Sequence, residues 1–200
     1  MVYLNRMFLA LGLVALAITV AAYPPAVGIL SNSKNCLTCH TDKGPWKDDG
    51  SVIIDVLDKE TKVSLKQADG SFLIEAHRGQ TKTVLTVIGC LKSSGVEMPY
   101  RNAWHYVDQS MIKTSSLTKF APGWEVNLPL SCRLPGDSVP AFPDAHVSAL
   151  SMTVRPTDAA RDAVVALQVM LTKGESVKGK PAEGMIGNYF ERTVQLRVLE

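Results

Sequence analysis

Short runs of alternating apolar and polar residues, separated by glycine-containing turns, constrain the fold of this 200-residue chain more than any other feature. The alternation is clear in 52–57 and resumes in 72–76, beyond the turn signal Asp69-Gly70. A period of two residues is typical of strands that bury one face, and short loops containing glycine join neighbouring antiparallel strands. The pattern therefore predicts antiparallel β-structure.

Further stretches of the chain extend this pattern. They are 62–66, 81–88, 146–154 and 188–199. In 157–172 we favour a strand over a helix, because apolar residues alternate there and the neighbouring segments are β. Six prolines between residues 91 and 145 exclude long helices and restrict strands to short or edge positions. The predicted fold class is mostly β, an antiparallel sandwich-like (Ig-like) domain over 51–200 that follows a separate N-terminal segment, 23–50.

That N-terminal segment carries the motif Cys36-Leu37-Thr38-Cys39-His40. Two thiols separated by two residues and followed directly by a histidine form the attachment signature of haem c: the thiols bond to the porphyrin and the imidazole ligates the iron. A zinc site would need a second ligand pair, whereas the other two cysteines stand alone in the sequence. A thioredoxin-like pair would lie between a strand and a helix. The motif predicts one covalent haem c.

The chain thus resembles the c-type cytochromes, with Cys36 and Cys39 as haem thioether sites and His40 as the proximal axial ligand. This resemblance implies an electron carrier and not an enzyme, unless an open distal face permits catalysis or gas sensing. The N-terminal segment also resembles that of cytochrome f, whose second iron ligand is the amino group of an N-terminal tyrosine. The matching residues here are Tyr23 and Pro24.

The sequence leaves the second axial ligand open. Met98 precedes Pro99, and this pair resembles the one that brings the distal methionine to the iron in many small cytochromes c. The alternatives are His105, His77 and the amino group of Tyr23. Methionine would raise the reduction potential relative to a second histidine, so this ligand decides the direction of electron flow.

Residues 1–22 have the features of an export signal. Arg6 precedes an uninterrupted run of apolar or small residues, 7–22, which ends in a small-x-small cleavage pattern at Ala22. A run of this length is short for a membrane span, so we expect cleavage, with a retained N-terminal anchor as the alternative. The sequence therefore predicts a periplasmic or otherwise extracytoplasmic protein, membrane-bound only if the anchor is retained.

The remaining observations concern partners and cysteines. With 21 Lys and Arg against 19 Asp and Glu, the near-neutral charge gives no indication of nucleic-acid binding. The expected partners are redox proteins or a larger electron-transfer complex. A haem-bearing docking or structural subunit of such a complex is the alternative function, which an exposed apolar patch around the aromatics of 91–145 would favour. Whether Cys90 and Cys132 form a disulfide is open.

Overall fold

The computed structural model describes residues 28–29, 31–114, 119–174 and 185–200. Within these ranges the chain forms ten β-strands and no α-helix. The strands are β1 (Thr41–Asp42), β2 (Val52–Asp58), β3 (Phe72–His77), β4 (Lys82–Leu91), β5 (Arg101–Val107), β6 (Trp124–Asn127), β7 (Leu130–Arg133), β8 (Ala145–Pro156), β9 (Ala163–Thr172) and β10 (Ile186–Leu199). The predicted export signal and Tyr23 lie outside the described residues. No helix in the described ranges is long and apolar enough to cross a membrane.

The strands form two sheets. The larger has six strands in the order β1-β10-β9-β5-β7, with β3 paired to β10. The smaller has the order β2-β4-β8-β6 and is antiparallel throughout. In the larger sheet β1 and β3 run parallel to β10, while the other pairs are antiparallel. The predicted mostly β, largely antiparallel sandwich is confirmed.

The core lies between the two sheets, and β5 shows how alternation builds it. Trp104 and Tyr106 belong to the inter-sheet cluster, and Tyr106 Oη lies 2.7 Å from Thr86 Oγ1 on β4. Asn102, also buried, donates a hydrogen bond of 2.8 Å to the backbone oxygen of Ile88. Even-numbered residues of β5 therefore face the smaller sheet. Because side chains alternate along a strand, its odd-numbered residues face the opposite side.

The predicted strand assignments are largely confirmed. Residues 163–172 form β9, and the proline-rich region holds two four-residue edge strands, β6 and β7. It also holds β5, a central strand, because no proline interrupts it. The predicted strand over 62–66 is wrong: this stretch makes only isolated bridges. Lys62 has a φ of 62°, which breaks the extended conformation at its start.

The aromatic side chains of 91–145 occupy ordinary positions in the sandwich. Four of them lie in the inter-sheet core: Trp104, Tyr106, Phe120 and Trp124. Phe142 packs on the outside of the smaller sheet, and Tyr100 is 39% exposed. Packing between the two sheets accounts for the burial of these four side chains without contact with a porphyrin.

Trp46, in the predicted haem-attachment segment 23–50, packs against the sandwich. Trp46 is 2% exposed and belongs to the inter-sheet core. Its indole Nε1 donates to the backbone oxygen of Glu97 at 2.8 Å, and its backbone N donates to Asn188 Oδ1 at 2.9 Å. The segment also contributes β1, the edge strand beside β10. The N-terminal segment is therefore held to the sandwich by a core side chain and a strand.

Cys90 and Cys132 are not in a disulfide, and they lie on opposite sides of the larger sheet. Cys90 is 1% exposed within the inter-sheet core. Cys132 pairs in register with Ala103, an odd-numbered residue of β5, and therefore lies on the side of the larger sheet away from that core. The sheet itself separates the two sulfurs, so the structure contains no disulfide between them.

The ion pair between Lys82 and Asp58 ties the end of β2 to the start of β4. The hydrogen bond from Lys82, followed by backbone hydrogen bonds from the turn 60–61, holds the pKa of Asp58 well below its usual value. A carboxylate with a lowered folded-state pKa stabilises the fold above its unfolded pKa of about 4, and this contribution is lost as the pH falls below that value.

We therefore expect Asp58→Asn to lower the free energy of unfolding by about 2 kcal/mol at pH 7, the range for a hydrogen-bonded charged group. The deficit should shrink at pH 3, where the wild-type carboxylate has begun to lose its advantage. Urea unfolding at both pH values measures it, with the exposed Asp144→Asn as the control. An equal deficit at both pH values would contradict this explanation.

Candidate haem-attachment site

One side of the larger sheet faces away from the smaller sheet, and we call it the outer face. Strand register and alternation place these residues on it: Ala103, His105 and Val107 of β5, Cys132 of β7, Gln168, Met170 and Thr172 of β9, and Tyr189 and Glu191 of β10. His105, Val107, Gln168 and Met170 are each no more than 1% exposed, yet none belongs to either hydrophobic core cluster. Something other than the smaller sheet covers them.

The N-terminal segment contributes to this cover. Gly28 is buried so close to β5 that an added Cβ would lie 3.0 Å from Val107 Cγ2 and 3.6 Å from His105 Nε2. Gln168 Nε2 donates to the backbone oxygen of Lys34 at 3.0 Å. The segment therefore crosses the outer face and reaches the cysteine motif after Lys34.

The motif itself is a single 3-10 turn, Cys36–Thr38, that packs against β9. Asn35 caps it, since its Oδ1 accepts a hydrogen bond of 3.1 Å from the backbone N of Leu37. The backbone N atoms of Cys39 and His40 both donate to the oxygen of Cys36, at 3.1 and 3.0 Å. This compact turn places both cysteines and the histidine on one short loop immediately before β1.

The two motif thiols differ in environment, although neither is in a disulfide. Cys36 is 7% exposed, and burial raises the pKa of its thiol to about 12, with smaller contributions from Cys132, Cys39 and Glu191. Cys39 is only partly buried. The motif therefore holds one thiol against the sheet and presents the other near the surface.

His105 is the most unusual titratable group on the outer face. It is 1% exposed, and burial lowers the pKa of its imidazole to about 4, so the ring is neutral at pH 7. Its Nε2 is buried and has no hydrogen-bond partner among the described residues. An unpaired buried nitrogen costs about 1–3 kcal/mol and calls for an explanation.

The other predicted distal ligands lie elsewhere. Met98 is 50% exposed in the connection before β5. His77 ends β3, where its Nδ1 lies 3.1 Å from the backbone oxygen of Glu200. His77 is level with Leu199, eight residues along β10 from Glu191, which contributes to the Cys36 pKa. That separation is about 26 Å at the usual strand rise.

Comparisons with known proteins assign no family. No protein-family model and no curated protein sequence matches the chain. Among solved structures it is similar to the ASH/PapD-like domain 7 of human CEP192, with a TM-score of 0.35 and 11% identity over 80% of this chain and 94% of that one. It is also similar to a nucleoside hydrolase-related hypothetical protein from Saccharophagus degradans, with a TM-score of 0.32 and 12% identity over 74% of this chain and 26% of that one. Likenesses this weak carry no argument about function.

Sequence reasoning missed several residues around the motif. Gln168 anchors the segment, Met170 lies fully buried on the outer face, and Cys132 comes close enough to contribute to the Cys36 pKa. The available signal was the sequence of 163–171, in which apolar residues occupy both alternating positions except at Gln168, as is typical of a strand covered on both faces. The structure buries all of 167–172. The residues that cover the second face are set by tertiary contacts, which the sequence of β9 does not reveal.

The donor set fits a covalent haem. Cys36 and Cys39 are thiols outside any disulfide on one turn, and His40 follows directly. Among the residues that the structure describes, no group of three or more His, Cys, Asp or Glu side chains is assembled around a metal-sized site.

Proposed function

We propose that this chain is an exported, mono-haem c-type cytochrome that carries electrons between redox partners outside the cytoplasm. The observation that carries the proposal is the turn 36–40, in which two free thiols and a histidine with haem-attachment spacing are held together on the sandwich. Cys36 and Cys39 would hold the porphyrin through thioether bonds, and His40 would ligate the iron. The proposed export rests on residues 1–22 and remains a prediction from the sequence.

The haem would supply one-electron exchange between ferric and ferrous iron. The protein's residues would set its potential and access. The buried outer face excludes water beneath the segment, and a low-dielectric, hydrogen-bonded surrounding is one of the ways a protein tunes haem potential. Cys39 is partly buried and Leu37 is 39% exposed, so the thioether edge would lie near the surface, where a redox partner exchanges electrons.

The alternative of a docking or structural subunit would be favoured by an exposed apolar patch around the aromatics of 91–145. Most of the described aromatics of that region lie in the inter-sheet core, and the exposed large apolar side chains there are Met98, Tyr100, Leu128 and Leu134. Carriage of electrons is the function that the site supports best.

A test of the carrier function uses the full chain produced in a host that attaches haem c. We expect one electron per protein in a potentiometric titration, and a six-coordinate, low-spin ferrous spectrum that does not change under carbon monoxide. Two protein ligands would leave no iron site for the gas. Rapid carbon monoxide binding by the unmodified protein would contradict simple electron carriage and favour a sensor or catalyst.

A further inference from the structure

Three of the four cysteines lie on the same side of the larger sheet, and only two of them belong to the motif. Cys36 and Cys39 are on the turn that packs against β9, and Cys132 is on the outer face of β7. None of the three is in a disulfide. Haem attachment would use the two motif thiols, so Cys132 is a nearby thiol to which the proposed function gives no part.

A row of four side chains crosses the outer face and ends at Cys132. Strand pairing aligns Tyr189 of β10, Met170 of β9, Ala103 of β5 and Cys132 of β7. Neighbouring strands are about 4.8 Å apart, so the row is about 14 Å long. Ala103 contributes only a methyl group, which leaves space above the sheet beside the Cys132 sulfur.

The attachment segment brings Cys36 to this row. On one side of the row, Gln168 of β9 holds the backbone oxygen of Lys34, two residues before Cys36. On the other side of the row, Thr41 pairs with Ile186 at the start of β10. The turn between these two anchors therefore crosses the row.

The environment of Cys36 shows which residues of the row it approaches. The side chain is 7% exposed, so it faces the sheet. Burial contributes most to the raised pKa of the Cys36 thiol, and among the neighbouring side chains Cys132 raises it more than Cys39 does. Because the interaction between two charges falls with distance, Cys132 is a close neighbour of Cys36, although the two are far apart in the sequence.

We propose that Cys36 and Cys132 form a disulfide in the haem-free chain, and that this bond fastens the attachment segment to β7. The oxidant is another disulfide, of a small molecule or a protein, which is reduced to two thiols. It first forms a mixed disulfide with Cys132, the more accessible of the two thiols, and releases one thiol. The Cys36 sulfur then attacks the Cys132 sulfur, and its proton passes to the second departing thiolate.

This inference goes beyond the proposed function and does not require a haem. It has a consequence for haem attachment, because the thioether bond at Cys36 needs the same sulfur. The disulfide and full attachment therefore exclude one another, and reduction of the Cys36–Cys132 bond must come before attachment. Cys132 thus makes the acceptance of haem dependent on the redox state of the compartment.

The test uses the full chain, produced in a host that does not attach haem c and then oxidised with glutathione disulfide. The remaining thiols are alkylated in urea, and mass spectrometry of a non-reducing digest identifies the linked peptides. We expect Cys36 joined to Cys132, with Cys39 and Cys90 alkylated. Cys39→Ser should form the same link, and so should the matched control Cys90→Ser.

Oxidation of the same chain in concentrated urea shows whether the fold selects this pair. In an unfolded chain the short loop between Cys36 and Cys39 closes more readily than the long loop to Cys132. The Cys36–Cys132 link should therefore be lost in urea. An equal yield in urea would overturn the inference, as would a Cys36–Cys39 bond, a Cys39–Cys132 bond or complete alkylation in the folded protein.

The two proposals fail in different ways. If the oxidised, haem-free chain lacks the Cys36–Cys132 link, only the disulfide is wrong, and haem attachment is tested separately in a host that attaches haem c. If the link forms but that host yields protein without covalent haem even when Cys132 is replaced by serine, the proposed function is wrong and the disulfide stands.

Discussion

Replacing Cys36 and Cys39 together by serine is expected to eliminate covalent haem from the purified protein while the β-sandwich still folds. A serine hydroxyl does not form the thioether bond to the porphyrin, so no haem should survive denaturation. Neither cysteine belongs to the two hydrophobic core clusters, and the turn that holds them is stabilised by backbone hydrogen bonds and the Asn35 cap. Haem staining after denaturing electrophoresis measures the loss, and far-UV circular dichroism checks the fold.

Cys132→Ser is the matched control for this experiment. Cys132 is a partly buried thiol close enough to Cys36 to affect its pKa, but it lies on β7, outside the motif. We expect this variant to retain a full complement of haem. Covalent haem in the double serine variant, or equal loss in Cys132→Ser, would contradict the assignment of the thioether sites.

Trp46→Ala is expected to have the largest effect on stability. Trp46 is 2% exposed, packs in the inter-sheet core and donates to the backbone oxygen of Glu97 at 2.8 Å. Truncation of a buried tryptophan leaves a cavity and removes transfer free energy, which together cost about 3–5 kcal/mol. Because Trp46 follows the motif by only six residues, its loss should also weaken the hold of the sandwich on the attachment segment.

Urea unfolding of the variant and of Tyr100→Ala tests this expectation. Tyr100 is 39% exposed, so its truncation should cost less than about 1 kcal/mol. In the haem-free protein, alkylation of Cys36 should accelerate in Trp46→Ala, because the thiol becomes accessible when the segment opens. A loss of stability no greater than that of Tyr100→Ala would contradict the view that the segment is part of the sandwich.

The fold was predictable from the sequence wherever one pattern dominated. The alternation in 52–57 and 72–76 specified β2 and β3, because a half-buried strand repeats every two residues. The prediction of a strand over 62–66 was wrong, because alternation of apolar residues does not reveal the positive φ at Lys62. The packing of Trp46 in the inter-sheet core was not predictable, because it depends on contacts with residues far along the chain.

Only the covalent part of the proposed site is recognisable in the sequence. Cys36, Cys39 and His40 are proposed because haem attachment requires that spacing along the chain. A second axial ligand has no such sequence signature, because it can come from any element that the fold places near the motif. His105 lies between Trp104 and Tyr106, two core residues, and only the register of β5 shows that it faces away from them. Gln168 likewise becomes recognisable as an anchor only when Lys34 lies over it.

We propose that this chain carries one haem covalently through Cys36 and Cys39. The most direct test is the intact mass of the denatured protein, produced as the full chain in a host that attaches haem c, compared with the mass of its double serine variant. We predict that the unmodified protein exceeds the variant by one haem, after correction for the substituted atoms. A bare polypeptide mass for the unmodified protein would contradict the account.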